Sequence, residues 1–117
     1  MKRYVLFLLS LVFVFTTSCK KDDEDGIKDG VPSCVREEII NLKLGYLCEN
    51  GANVKEYQFQ ENMVYVFNPG DCISDVAYKV LDTECNTLGY LGGIGGVWDI
   101  DGVDFDEAEF KRIIWED

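Results

Sequence analysis

The chain opens with positive charge, then a solid apolar run, then a cysteine, and this order decides which residues are left to fold. Lys2 and Arg3 precede a run from Tyr4 to Phe15 broken only by Ser10, and Thr16-Thr17-Ser18 lead into Cys19. A basic start, an apolar middle and a small-residue exit are the three zones of an export signal. The run is shorter than the ~20 residues a bilayer-spanning helix needs. A buried core helix would not be framed by charge on one side and an acidic stretch on the other. Residues 1–18 therefore read as a cleaved signal peptide.

Thr17-Ser18-Cys19 resembles the lipobox of lipoprotein signals, in which the cysteine thiol accepts a diacylglyceryl group before cleavage; Thr16 stands where leucine is commonest. Acyl chains contribute about 0.8 kcal/mol per buried CH₂, so an acylated Cys19 would be a lasting lipid anchor. A plain secretory signal would instead leave Cys19 as an odd free thiol. The residues that follow, Lys20-Lys21-Asp22-Asp23-Glu24-Asp25-Gly26, have nothing apolar to dock and repel one another, the composition of a solvated leash. This stretch is similar to the charged surface-export signal after the acylated cysteine of Bacteroidota-type lipoproteins. That likeness implies the outer membrane and its outer face, with the periplasmic face as the alternative. An acidic flexible linker is expected over 19–32, leaving residues 33–117 as one small domain.

Loss of residues 1–18 also removes Lys2 and Arg3, so nine basic residues face 22 acidic ones, a net charge of −13. Such a surface repels phosphate backbones and argues against nucleic-acid binding. With Cys19 consumed by acylation, Cys34, Cys48, Cys72 and Cys85 remain, an even set that in a short exported chain reads as two disulfides. Four buried thiols would suit a reducing compartment instead, and a four-thiolate metal site lacks any C-x-x-C chelate.

Val35, Ile39, Leu42 and Tyr46 fall on one stripe of a helix running from a Ser33 N-cap to Leu47, with Ile40, Leu44 and Leu47 as a second apolar strip. Arg36 and Lys43 can snorkel between the strips, Glu37 and Glu38 suit the positive helix start, and Asn50-Gly51 ends the element. The period then becomes two. Tyr57 and Phe59 alternate with Glu56, Gln58 and Gln60; Glu61-Asn62 reads as a tight turn into Met63–Phe67, which Asn68-Pro69-Gly70 stops. Residues 76–81 and 87–91 supply a third and a fourth strand, and Ile113-Ile114-Trp115 reads as a final docked strand. The expected fold is α+β, an N-terminal helix packed on a four-stranded antiparallel meander and stapled by disulfides. If the helix lies along the sheet, Cys34 meets Cys85 and Cys48 meets Cys72, one of three connectivities; an ideal wheel, however, points Cys34 and Cys48 off the main stripe.

Gly92-Gly93-Ile94-Gly95-Gly96 lacks the spacing and the lysine of a phosphate loop and reads as a mobile connection or a close backbone approach. The chemically suggestive segment is 99–107, where Asp99, Asp101, Asp104 and Asp106 offer hard oxygens of the kind Ca²⁺ takes. Gly102 comes one ligand too early for an EF-hand, and Ala108 stands where its bidentate glutamate belongs. The competing reading is an acidic turn followed by a capping box, Asp104 with Glu107, for a short helix Phe105 to Lys111. The chain has no histidine, which removes Ser-His-Asp and Cys-His dyads and His-ligated zinc. Ser33 and Ser74 sit in no nucleophile elbow. Trp98, Trp115 and the tyrosines read as an aromatic binding face or as core closure.

Cys34-Val35-Arg36, Val64-Tyr65-Val66 running into Pro69 and Cys72, Asp82-Thr83-Glu84-Cys85, Gly92-Gly93, Asp101-Gly102 with Asp104-Phe105, and the closing Ile114-Trp115-Glu116-Asp117 together resemble a family of small Bacteroidota cell-envelope lipoproteins. That family is classed as a domain of unknown function. Its members often carry a doubled cysteine after the proline, where this chain has Asp71-Cys72, and another after the Asp-Gly. The resemblance implies an envelope lipoprotein and assigns no activity. The resulting expectation is a lipid-anchored, non-catalytic module with no cofactor, touching the membrane through its anchor and taking a protein or glycan partner. The alternatives are a calcium-binding or calcium-stabilised domain through the 99–107 loop, and a small hydrolase.

Overall fold

The computed structural model describes residues 26–45, 48, 50–71 and 76–117. In chain order these form α1 (Ser33–Gly45), β1 (Asn53–Phe59), β2 (Asn62–Asn68), β3 (Ala77–Leu81), β4 (Thr87–Gly92), β5 (Asp99–Ile100), β6 (Val103–Asp104), one 3₁₀ turn (Phe105–Glu107) and β7 (Glu109–Glu116). The four expected strands pair in sequence as an antiparallel meander. β7 then returns to the far side of β1, so the main sheet has five strands in the order β4-β3-β2-β1-β7 rather than four. β5 and β6 make a separate two-stranded hairpin.

α1 begins where the carbonyl of Pro32 accepts the Arg36 N–H at 3.0 Å. Val35 and Ile39 are fully buried on the sheet, and Leu42 and Ile40 flank them. Leu44, read as part of a second buried strip, is instead 80% exposed, since it sits about 200° round the helix from Leu42. The first turn carries no acidic residue, so Glu37 and Glu38 lie too far along to act on the positive helix end. Tyr46 and Leu47, the expected end of the helix, lie outside the described residues.

β1 and β2 meet through a two-residue loop, Gln60-Glu61, both with positive φ (52° and 69°), and Phe59 is already paired with Asn62. The turn therefore comes one residue earlier than the Glu61-Asn62 reading. A one-residue slip would reverse every side chain of β2. β2 is the middle strand and is buried on both faces. Tyr65 and Phe67 join α1, Val54, Leu81 and Ile114 in one core, while Val64 and Val66 join Phe59, Val80, Leu91, Ile100 and Phe105 in a second. The domain is thus three-layered: helix, sheet, small hairpin. The hairpin lies tight on β4, where a Cβ on Gly89 would come within 2.8 Å of Ile100 Cδ1.

β7 pairs with β1 through two register shifts: Trp115 faces Val54 but Ile113 faces Lys55, and Arg112 faces Glu56 but Phe110 faces Tyr57. Ile114 and Lys111 are the extra residues, and the bulge lets Ile114 and Trp115, consecutive in sequence, both be buried. The expected helix 105–111 is one 3₁₀ turn only. Asp104 caps it, its side chain accepting the Asp106 N–H, and pairing with β1 takes over from Glu109. The linker reading over 19–32 also fails at its end. Ile27 is fully buried in the helix-side core, and Lys28 N–H donates to the Ile114 carbonyl at 3.0 Å. The packed body starts ahead of Ser33.

The Cys34–Cys85 disulfide, with Cα atoms 6.1 Å apart, ties the first turn of α1 to the β3–β4 turn. Cys85 takes a left-handed φ of 65° there, and Asp82 organises the turn by accepting the Glu84 and Asn86 N–H groups, each at 2.9 Å. Cys48 is also disulfide-bonded, and its N–H donates to the Pro69 carbonyl at 2.8 Å. Its expected partner, Cys72, lies outside the described residues.

Three expected outcomes rest on these joints. Gln60→Asn with Glu61→Gly relieves left-handed strain that costs roughly 1–2 kcal/mol at each non-glycine position, so the urea midpoint rises. An unchanged midpoint would deny the turn. Peptide mapping without reduction recovers a Cys34–Cys85 fragment and a Cys48–Cys72 fragment, whereas a Cys34–Cys48 link would overturn the arrangement. Replacing Cys34 and Cys85 together by serine costs about 2–4 kcal/mol, read from the same denaturation curve.

Candidate functional site

A helix of ~10–12 Å diameter cannot cover five strands at a spacing of ~4.8 Å. α1 shares its core with residues of β1, β2 and β7 and with Leu81 at the end of β3, and Ile27 ahead of it packs into the same core. The outer part of the sheet, β3 and β4, is left open beside the C-terminal half of the helix. The result is a groove of about 650 Å³ between α1 and β3–β4. Leu42, Leu44, Phe67, Pro69, Ala77 and Tyr90 give it an apolar surface, and Tyr90 is 53% exposed. The polar groups at the groove are Asn41 and the Glu38–Lys79 ion pair, 3.4 Å, which joins helix to sheet. A concave, mostly apolar space of a few hundred Å³ with a few fixed polar groups has the make-up of a ligand site. It has the composition to hold an apolar side chain or a small hydrophobic molecule.

A buried charge is a second place to look for function. Glu56, one of the polar residues that alternate with Tyr57 and Phe59, is 6% exposed on the helix-side face. It stands in a transverse row with its direct cross-strand neighbours, Arg112 on β7 and Tyr65 on β2. Glu56 Oε1 accepts from Arg112 Nε and Oε2 from the Tyr65 hydroxyl, both at 2.9 Å. Burial first, then the hydrogen bond to Glu56 and its negative charge, push the Tyr65 phenol well above its ordinary value, partly offset by the Arg112 cation. Both carboxylate oxygens are engaged, so the row reads as structure. The signal that finds it in sequence is the pairing of Glu56 and Arg112 across an antiparallel register, which required knowing where β7 docks.

The acidic segment 99–107 is a β-hairpin with an Asp101-Gly102 turn, φ 52° and 81°. Asp-Gly between short strands is the signature of that turn type, and this was the signal to read. Asp99 Oδ2 accepts the Gly102 N–H at 3.1 Å, Asp104 Oδ1 the Asp106 N–H at 2.8 Å, and Asp106 Oδ1 the Trp98 indole N–H at 2.9 Å. Asp99 and Asp104 cap their own turns, and Asp106 holds the Trp98 indole. Among the described residues no group of three or more Cys, Asp or Glu side chains converges as a metal site. The glycine loop closes on itself, with Gly92 N–H donating to the Val97 carbonyl at 2.6 Å and Gly96 N–H to that of Gly93 at 3.1 Å, and it holds Ile94 out at 89% exposure. Of the two tryptophans, Trp115 closes the core and Trp98 is 43% exposed. Ser33 is the first residue of α1. Cys19 and Ser74 lie outside the described residues. No helix among the described residues is long and apolar enough to cross a membrane.

A family model for a domain of unknown function, DUF6970, matches residues 46–117. That span takes in all seven strands and leaves α1 outside. No curated protein and no solved structure matches the chain.

The raised Tyr65 phenol sets a pH dependence. Its protonated form is favoured by folding, so the stability it contributes is complete below the unfolded phenol value of about 10 and declines as pH rises above it. Tyr65→Phe should cost about 1–2 kcal/mol at pH 7, by leaving one buried Glu56 oxygen without its donor, and should flatten the loss of stability between pH 10 and 12. Urea midpoints of both forms across that range make the check; parallel curves would contradict the assignment.

Proposed function

Since the chain belongs to the DUF6970 family, a domain of unknown function, we propose that it is an exported, lipid-anchored envelope protein whose folded domain is a non-catalytic binding module. The anchor is the acylated thiol of Cys19. It rests on the basic, apolar and small-residue zones ahead of that cysteine and on the charged stretch after it. The outer membrane, outer face, is the location that this stretch supports. A chain without histidine cannot assemble the common Ser-His or Cys-His catalytic pairs. Binding is carried by one observation: an apolar groove of about 650 Å³ lies open between α1 and the outer strands, with Leu44 and Tyr90 largely exposed at it. Apolar surface left in water at a concave site is retained for what fills it.

Two measurements test the two halves. Mass spectrometry of the native protein finds the mature chain beginning at Cys19 with diacylglyceryl and acyl additions, and Cys19→Ser releases the protein from membranes; an unmodified Cys19 would remove the anchor. Affinity capture from envelope extracts with the native protein retains a partner that the Leu44→Glu, Tyr90→Ala variant loses at unchanged melting temperature. Equal capture by both forms would show that the groove is not the binding site.

A further inference from the structure

On the face of the sheet opposite the groove, four aromatic rings form a continuous row. Trp98 meets Phe105 edge-on at 6.3 Å, Phe105 meets Tyr57 at 5.1 Å, and Tyr57 meets Phe110 at 5.6 Å. Phe105 is buried, but the two ends are not: Trp98 is 43% and Phe110 50% exposed, and Val97 beside Trp98 is 46% exposed. The indole is held in place by its N–H bond to Asp106 and by the Phe105 edge. A ring already fixed loses little conformational freedom when something docks on it.

The charge around this row names its occupant. Between Trp98 and Phe110 the chain carries Asp99, Asp101, Asp104, Asp106 and Glu107, every one exposed, and no basic residue, while Glu109, paired with Gln58, faces the helix side. The next residue, Lys111, is engaged with Glu109 at 3.3 Å. The chain as a whole has a net charge of −11. An anionic partner, whether nucleic acid or acidic lipid, is repelled from such a surface. Lys and Arg side chains are drawn to it, and their cationic heads are stabilised over an indole or phenyl face as well as by carboxylates. We infer that the Trp98–Phe110 aromatic row and its surrounding carboxylates form a docking surface for a basic, apolar-containing segment of a partner protein. The apolar side chains of that segment cover the exposed rings, and its cations face the aspartates and Glu107. The surface is distinct from the groove and does not depend on it.

The test uses the full chain in detergent and a synthetic peptide of alternating lysine and leucine, with a glutamine–leucine peptide of the same length as control. Binding is read by the Trp98 indole N–H signal in NMR and by titration calorimetry. The lysine–leucine peptide is expected to bind, to shift the Trp98 signal and to weaken at least ~10-fold as salt rises from low to several hundred millimolar; the control peptide is expected not to bind. Trp98→Ala and Phe110→Ala each weaken binding several-fold. Asp101→Asn with Glu107→Gln weakens it several-fold, whereas Asp29→Asn with Glu37→Gln, the same change in net charge elsewhere, leaves it within about twofold. All these positions are exposed, and melting temperatures confirm that each variant is folded. Equal loss from the two charge pairs, or binding indifferent to Trp98 and Phe110, would overturn the proposal by reducing the attraction to net charge alone.

Discussion

The structure depends on burying both faces of β2. Val64, Tyr65, Val66 and Phe67 are four successive residues under 10% exposed, two on each side of the sheet. A strand in that position has no wet face, so the rest of a small chain must supply two covers. One helix with the residues ahead of it makes the first, and a hairpin with one 3₁₀ turn makes the second. Neither is as wide as five strands. The uncovered margins are therefore consequences of size, and they fall at opposite corners: the groove over β3–β4 on the helix side, and the half-exposed Trp98 and Phe110 on the other. The two surfaces to which binding is assigned are the places where this chain runs out of cover.

The covers are thin, and they are held down by more than apolar contact. α1 buries only Val35 and Ile39 fully, and about 2–3 kcal/mol per buried side chain does not by itself order a 13-residue element. The Cys34–Cys85 bond fixes one end, the Glu38–Lys79 pair crosses to β3, and Lys43 lies 5.7 Å from the Trp115 ring centroid. The hairpin is held by the aspartate caps and by the Trp98–Asp106 bond. β7 needs similar help as an edge strand. Its two bulges and Lys111 discourage further strand pairing, and Lys28 occupies the Ile114 carbonyl.

Where sequence periodicity and tertiary demand agreed, the elements were legible. Strands β1 to β4 are apolar-bearing stretches bounded by turn residues, and the α1 stripe of Val35 and Ile39 is buried as its spacing requires. The expected Cys34–Cys85 pairing follows from the same layout. β7 was read only as a docked strand because its bulges break the period of two: Ile114 and Trp115 are neighbours and both buried. The burial of Glu56 has no local signature, because it depends on Arg112 arriving from 56 residues away. Ile27 was lost in an acidic stretch for a related reason. One apolar residue among charges carries no period, although Ile114 and Trp115 give it a place to pack. The Asp101-Gly102 turn was legible in principle, but counting carboxylates for a cation drew attention from what Asp-Gly does to a backbone. The groove has no sequence signature, since it arises from the mismatch between a helix and a wider sheet.

The position of the chain's entry into the fold bears on how an anchored module would present these surfaces. Gly26 lies beside the Trp115 ring and Lys28 pairs with β7, so the leash joins the domain at the edge of the sheet rather than on either face. From Cys19 to Gly26 an extended chain spans at most about 25 Å, comparable to the domain itself. An acyl group at Cys19 would therefore hold the β7 edge toward the bilayer and leave the two faces standing beside it. The carboxylate-rich surface would favour the same orientation, because an anionic headgroup layer repels a face bearing five exposed acidic side chains within residues 99–107. With the proposed anchor in place, entry point and charge would act together, leaving groove and aromatic row open to partners within one short tether of the membrane.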